Sequence, residues 1–286
     1  MNTITLSNGV EVPQLGFGVF QIPQDQTAQA VRDAVEVGYR HIDTAQSYFN
    51  EAQVGEGVAT CGIDRKELFI TTKVWIEHYG YENAKVSLEE SFKKLNLDYI
   101  DLVLLHQPFA DYYGAWRALE EFYRDGRIRA IGVSNFNPGR LADIAAFNDI
   151  APMVNQVETN PFHQQVAAHE NMVARHVAHE AWAPFGEGRN GLFDNPVLAR
   201  IGEAHGKSVA QVVLRWLMQR DVIALAKSTH KERMAENFDI FDFELSAEEM
   251  ATIATLDSHT SLFFDHDAPE TVDKFVKMVA DRRGRA

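Results

Sequence analysis

Residues 38–57 read GYRHIDTAQSYFNEAQVGEG. Gly38 closes a helical pattern in which Ala28, Val31 and Val35 recur near every 3.6 residues, since a glycine just past the last turn adopts the left-handed conformation without a side-chain penalty. The run YRHID (39–43) then has the length of a short buried strand and ends in the carboxylate of Asp43. A loop carrying Tyr48 follows, and a new helix is expected from Asn50. Helix, strand, polar strand end, loop and helix together make one turn of a repeated βα architecture.

The same unit recurs on both sides. Candidate strands are 15–19 (LGFGV), 39–43, 68–73 (LFITTK), 99–106 (YIDLVLLH), 129–134 (RAIGVS), 153–158 (MVNQVE), 179–182 (HEAW) and 222–227 (VIALAK), with amphipathic helices between them. Helical spacing is clear at Leu88, Phe92 and Leu95, and at Val209, Val213, Trp216 and Leu217. Before the first unit, Asn8-Gly9 between two short apolar runs predicts a hairpin, because both residues tolerate positive φ. After the last, Ser246 and Glu249 have capping-box spacing and predict an added helix through Met250, Ile253 and Leu256. Eight alternations suit a (β/α)8 TIM barrel with an N-terminal β-hairpin and extra C-terminal helices, as one domain over residues 1–286. A doubly wound sheet is the alternative, but Gly16-Phe17-Gly18 lacks the third glycine of its usual phosphate loop.

Composition excludes several classes. The chain has 286 residues and a net charge of −14, from 41 acidic against 27 basic side chains, which repels nucleic acid and anionic membranes. No apolar run reaches the roughly 18 residues of a membrane span, and the first basic residue, Arg32, comes too late for a secretory leader. Cys61 is the only cysteine, so a reducing, cytoplasmic setting is expected, without a disulfide or cysteine-based metal site. His176 and His179 stand three apart with no third ligand in view, and no metal is expected. The basic run Arg282, Arg283, Arg285 reads as a solvated tail.

A barrel of this kind builds its site at the C-terminal ends of the strands. There the sequence offers Asp43, Tyr48 in the next loop, Lys73 and His106. An ammonium at Lys73 would favour the phenolate of Tyr48, Asp43 would hold that ammonium charged, and His106 could donate to the same substrate oxygen. The set lacks a strong nucleophile and suits proton transfer to a carbonyl oxygen while another species attacks the carbon. Singly, each has a structural reading: a turn cap, a packed aromatic, a snorkelling lysine, a core histidine.

Residues 38–57, TTKVW (71–75), LLHQP (104–108), GVSNF (132–136), NQVETNP (155–161), EAWAPFGEG (180–188), AKS (226–228) and RMAENF (233–238) together resemble the aldo-keto reductase family, and within it the short loop after His106 and the tail SLFFDH (261–266) are similar to bacterial members of the 2,5-diketo-D-gluconate and methylglyoxal reductase type. The resemblance implies NADPH-dependent reduction of aldehydes and ketones. It makes Tyr48 the general acid, Lys73 and Asp43 the pair that lowers its pKa, and His106 the orienting donor. It assigns the nicotinamide to Trp182, Ser134, Asn135 and Gln156, with Gly18, Val19, Asp43, Ala183, Phe185 and Gly186 along the cofactor. It also gives Lys227 and Arg233 to the 2′-phosphate, with Ser228 and Thr229 beside it and Glu236 and Asn237 toward the adenine. Phe20, Tyr48, Trp75, His106 and Gln107 would line the carbonyl pocket. A small-molecule carbonyl substrate and a monomer are expected.

Departures from the family pattern bear on substrate and cofactor. Gln107 and Phe20 stand where tryptophan is frequent, a smaller and more polar wall that favours small polar carbonyls such as methylglyoxal or keto-sugars. Ala226 replaces a proline before the phosphate lysine and frees a fixed φ. Phe263 and Phe264 either cap the pocket or pack on the barrel. Two other readings remain: a catalytically weak NADPH-binding sensor of the same fold, and a barrel hydrolase using Glu158 and Asp43.

Overall fold

The computed structural model describes residues 2–283. Among them β1 (Thr3–Thr5) and β2 (Glu11–Pro13) pair antiparallel as the expected hairpin. Its turn is closed by Gly9 N–H to Leu6 C=O (2.8 Å) with φ positive at Gly9 alone, so the loop is a turn plus a left-handed glycine and not the two-residue mirror turn.

Eight parallel strands follow: β3 (Leu15–Gly18), β4 (His41–Asp43), β5 (Phe69–Val74), β6 (Ile100–Leu105), β7 (Ile128–Ser134), β8 (Val154–Glu158), β9 (Ala178–Trp182) and β10 (Ile223–Ala226). They pair in chain order, and β10 returns to β3, which closes the barrel and leaves it no open edge strand. The helices are α1 (Gln24–Val37), α2 (Glu51–Thr60), α3 (Tyr81–Leu95), α4 (Tyr112–Arg124), α5 (Pro138–Ala146), α6 (Val166–Ala174), α7 (Pro196–His205), α8 (Val209–Met218), α9 (Lys231–Phe238), α10 (Ala247–Ala254) and α11 (Pro269–Arg283). All eight predicted strands exist, most of them a residue or two shorter than the apolar runs, and His106 falls just after β6.

Helix ends follow the sequence chemistry. Gly38 caps α1 with φ 128°, and both reciprocal bonds of the Ser246/Glu249 capping box are made at α10. At Gly55 in α2, an added Cβ would lie 2.3 Å from the Leu95 carbonyl oxygen, so only glycine lets α2 approach the end of α3 this closely.

Strand alternation decides what enters the barrel. In β4, His41 and Asp43 share one face; in β5, Thr71 and Lys73 share the corresponding one, and His41 Nε2 meets Thr71 Oγ1 at 3.0 Å. The opposite face of β5 meets a helix, where Thr72 donates to Glu51 of α2 at 2.7 Å. The barrel interior near its C-terminal mouth is therefore polar, with Asp43, Lys73, Gln156 and Glu180 all buried.

Candidate active site

Loop anchoring brings Tyr48 over the barrel mouth. Gln46 accepts from the Trp75 backbone N–H (2.9 Å) and donates to Ser91 (3.0 Å). Asn50 accepts from Thr44 (2.8 Å) and donates to the Val19 carbonyl (3.0 Å), while Val19 N–H meets the Asp43 carbonyl at 3.1 Å. Between these ties Tyr48 stands half-buried, and its ring packs on Phe20 at 4.8 Å and on His106 at 5.6 Å.

The four strand-end residues do converge. Lys73 Nζ, with no exposed surface, donates to Asp43 Oδ1 at 2.6 Å, to the Thr44 carbonyl at 3.0 Å and to the Tyr48 hydroxyl at 3.3 Å. Three acceptors match the three ammonium hydrogens. Burial pulls Lys73 down, but the negative neighbours, Asp43 foremost, outweigh it and hold its pKa above the ordinary value. Burial also acts most strongly on Tyr48, and the ammonium offsets it only in part, so the phenol lies above its usual pKa. That corrects the expectation of a net lowering: the site keeps the phenol protonated and places a cation where its phenolate would form. His106 lies well below the ordinary histidine value, through burial first and then the charges of Lys73 and Arg282, so it is a neutral imidazole. Its Nδ1 lies 3.3 Å from Ser47 Oγ.

A ring of amides borders this group. Asn135, at φ 66°, donates to the His106 carbonyl (3.0 Å) and to Ser134 Oγ (3.1 Å), and accepts from Trp182 Nε1 (2.8 Å). Ser134 donates to the Gln156 carbonyl at 2.8 Å. Gln156 Nε2 donates to Asp43 Oδ2 at 3.0 Å and to Glu180 Oε2 at 2.8 Å. Ala183 (φ 48°) and Gly186 (φ 54°) then turn the chain away, with Phe185 packed against the core.

The end of β10 and the first turn of α9 carry the cations. Lys227 and Arg233 are exposed, and among the described residues neither has a carboxylate within 4.0 Å, although most other arginines and lysines of this acidic chain are paired. Ser228, buried between them, accepts from His230 N–H at 3.0 Å. Thr229 and Glu236 are exposed and Asn237 is buried on α9. Two uncompensated cations beside a helix start fit a phosphate dianion.

Residues 14–258 match the Aldo/keto reductase family. The chain belongs to that family. It is 48% identical over 257 residues to the glyoxal reductase of Bacillus subtilis, covering 89% of this chain and 92% of that one. It is 46% identical over 269 residues to the morphine 6-dehydrogenase of Pseudomonas putida, with 89% and 91% covered. A solved aldo-keto reductase of Bombyx mori, in complex with NADP, superposes with a TM-score of 0.88 at 36% identity over 93% of this chain and 96% of the other.

The pocket wall of this aldo/keto reductase is partly built by its tail, which sequence reading under-used. Gln107 is pinned by Tyr79, whose hydroxyl donates to its carbonyl (2.9 Å) and accepts from its N–H (3.0 Å). Its side chain meets His266 Nε2 at 3.1 Å. Phe263 sets its edge against Trp182, and Phe264 packs on His266 and Phe275, so the two phenylalanines divide between the site and the tail's own packing. Phe275 of α11 also covers Trp75. Arg282 stacks over both Trp75 (4.9 Å) and Phe49 (5.0 Å), which corrects the solvated-tail reading for this residue; Arg285 lies outside the described residues. A cation-π contact between residues some 200 positions apart leaves no periodicity to find.

Glu158, offered above for a hydrolase pair, holds the tail instead: it accepts from Ser261 Oγ, from Leu262 N–H (2.9 Å) and from Asn160 (3.1 Å). His179 is engaged by Thr159 (2.7 Å) and His169 (3.0 Å).

Proposed function

We propose that this chain reduces small polar aldehydes and ketones with NADPH, and the observation that carries the reading is the Asp43–Lys73–Tyr48 chain of contacts at 2.6 and 3.3 Å. Bound NADPH would supply a hydride to the carbonyl carbon. Tyr48, protonated at neutral pH, hands its proton to the carbonyl oxygen, and the phenolate left behind faces the Lys73 ammonium. Asp43 keeps that ammonium charged and aimed, and neutral His106 offers a donor to the same oxygen. Ser134, Asn135 and Gln156 would hold the carboxamide of a ring lying on Trp182, Gly18 and Val19 would lie alongside the cofactor with Ala183, Phe185 and Gly186, and Lys227 and Arg233 would take the 2′-phosphate.

The wall made by Phe20, Trp75 and Gln107 supports small polar substrates of the kind named in the glyoxal reductase relative. Morphine 6-dehydrogenase, of similar identity, bears a far larger substrate in its name, so the polar side chain of Gln107 and the tail over it are what favour the small class here. The same reading takes residues 1–286 as one domain and the protein as a cytoplasmic monomer. A closed barrel without sheet edges and a single cysteine, Cys61, support it, and no helix among the described residues is long and apolar enough to cross a membrane.

Loss of reduced-nicotinamide absorbance with methylglyoxal, a keto-sugar and benzaldehyde, each with NADPH and with NADH, tests the proposal. Turnover with NADPH and a dicarbonyl is the expected result. Tight NADPH binding with no turnover on any carbonyl would support the sensor reading in its place.

A further inference from the structure

Glu180 has no exposed surface, and the reaction outlined above leaves it without a task. It sits on β9 in register with Gln156 on β8, so both side chains enter the barrel at one level. The Gln156 amide nitrogen spans the interior, giving one hydrogen to Glu180 Oε2 at 2.8 Å and the other to Asp43 Oδ2 at 3.0 Å. Because Asp43 is paired with the Lys73 ammonium, it must receive an N–H, which fixes which end of the amide faces inward. Gln156 Oε1 is thereby turned away from both carboxyl groups, and among the described residues no donor uses it. A carboxamide N–H is the donor this oxygen lacks.

We infer that Glu180 is a positioning residue for the reduction, acting through the Gln156 amide on the carboxamide of the nicotinamide; this rests on the function proposed above. Without Glu180, one amide hydrogen is free and the amide can rotate about the remaining bond to Asp43. The nicotinamide then loses the acceptor that sets its angle, which costs cofactor affinity and hydride transfer together but leaves the carbonyl pocket untouched.

Charge gives a second readout. Facing Glu180 are His41 and Asp43 from β4, Gln156 from β8, and Lys73 from β5, with Tyr48 within electrostatic reach; its register partner on β10 is Ile223, which carries no charge. His41 is neutral, brought down to about 3 by burial. Burial first, and then the Asp43 charge, push Glu180 up to about 8, so it is a neutral acid at neutral pH. Its ionisation would set a second anion beside Asp43 and raise the Tyr48 phenol further.

The experiment measures NADPH Kd, kcat and carbonyl KM against pH in the wild type, Glu180→Gln, Glu180→Ala, Gln156→Ala and the Glu180→Ala/Gln156→Ala pair. Glutamine at 180 keeps an acceptor for the amide and cannot ionise. Glu180→Ala is expected to weaken NADPH and slow turnover by about tenfold, the size of one buried hydrogen bond, at unchanged carbonyl KM. Glu180→Gln restores both and lacks the limb near pH 8, and Glu180→Ala adds nothing once Gln156 is gone. A Glu180→Ala loss that persists undiminished in the Gln156→Ala background overturns the inference. So does a Glu180→Gln variant that loses NADPH affinity by about tenfold or more although glutamine keeps the acceptor for the amide, which decides the matter even if the alanine variant does not fold. Absence of NADPH binding in the wild type would instead bring down the underlying function.

Discussion

The Lys73 ammonium stands 3.3 Å from the Tyr48 hydroxyl at a point where the lysine has no contact with solvent. A lone buried ammonium would give up its proton; here the Asp43 carboxylate at 2.6 Å keeps it charged. Burial holds the phenol protonated, and the cation lies where negative charge appears once the proton leaves. The pair thus serves the product of proton transfer more than the resting state, which is the asymmetry a general acid needs.

Tyr48→Phe removes the proton and leaves the rest of the site intact, since Lys73 still donates to Asp43 and to the Thr44 carbonyl. Turnover is expected to fall by roughly 10² or more, with NADPH affinity nearly unchanged. Steady-state rates and a fluorescence titration of NADPH check this; full turnover in the variant would remove Tyr48 from the role.

Lys73→Met strands a carboxylate in the barrel and is expected to cost about 3–5 kcal/mol of stability. Adding Asp43→Asn to it removes the stranded charge, so the double variant should be more stable than Lys73→Met alone, while both stay inactive. Denaturant melts of the two variants decide; equal stability would mean that the pair is not ionised in the folded chain.

Lys227 and Arg233 lack carboxylate partners within the described residues, so their replacement breaks no ion pair. Arg233→Ala is expected to weaken NADPH by about tenfold or more and to leave NADH nearly unaffected, because only the former carries the extra phosphate. Titration with each cofactor is the check, and equal losses for both would refute the phosphate assignment.

Much of this was legible in the chain. Strand periodicity put Asp43 and Lys73 into the barrel, and polar residues ending apolar runs marked its mouth at His106, Ser134 and Asn135. The barrel itself followed from eight alternations and a missing third glycine. What stayed hidden depends on distance across the fold. The net direction of the Tyr48 shift comes from how deeply the loop is buried, and neither spacing nor charge reports that. The roles of Arg282 and His266 arise because α11 and the segment before it fold back over loops laid down some 160 to 230 residues earlier, at Gln107, Trp75 and Phe49. Glu180 lay within the quoted EAW run, but only its register with Gln156 and the cross-barrel reach to Asp43 give it a task.

Glu180 also ties stability to pH. Its folded pKa, about 8, is raised above the ordinary carboxylate range, so between that range and pH 8 the folded chain holds a proton that the unfolded chain releases. Stability must then fall as pH rises through this window, by several kcal/mol if the proton is held alone. Glu180→Gln has nothing to titrate there. Its melting temperature relative to wild type is expected to climb from pH 5 to pH 8, and a constant difference over that range would mean that Glu180 is already ionised when folded.

Gln107 links the substrate wall to the tail. Its Oε1 accepts from His266 Nε2 at 3.1 Å, and His266, brought down to about 4 mainly by burial, is neutral across the working range and keeps its N–H for that bond. Gln107→Leu leaves this N–H unpaired, at a cost of about 1–3 kcal/mol, and makes the wall apolar. The ratio of kcat/KM for methylglyoxal over benzaldehyde should drop by about tenfold, since a pocket built to bond a polar substrate discriminates through the bond it can no longer make. Because Tyr79 grips only the Gln107 backbone, the loop itself stays in place, and Tyr48 with Lys73 is untouched. A lower kcat with both substrates and an unaltered ratio would show that residue 107 supports the catalytic group without touching the substrate.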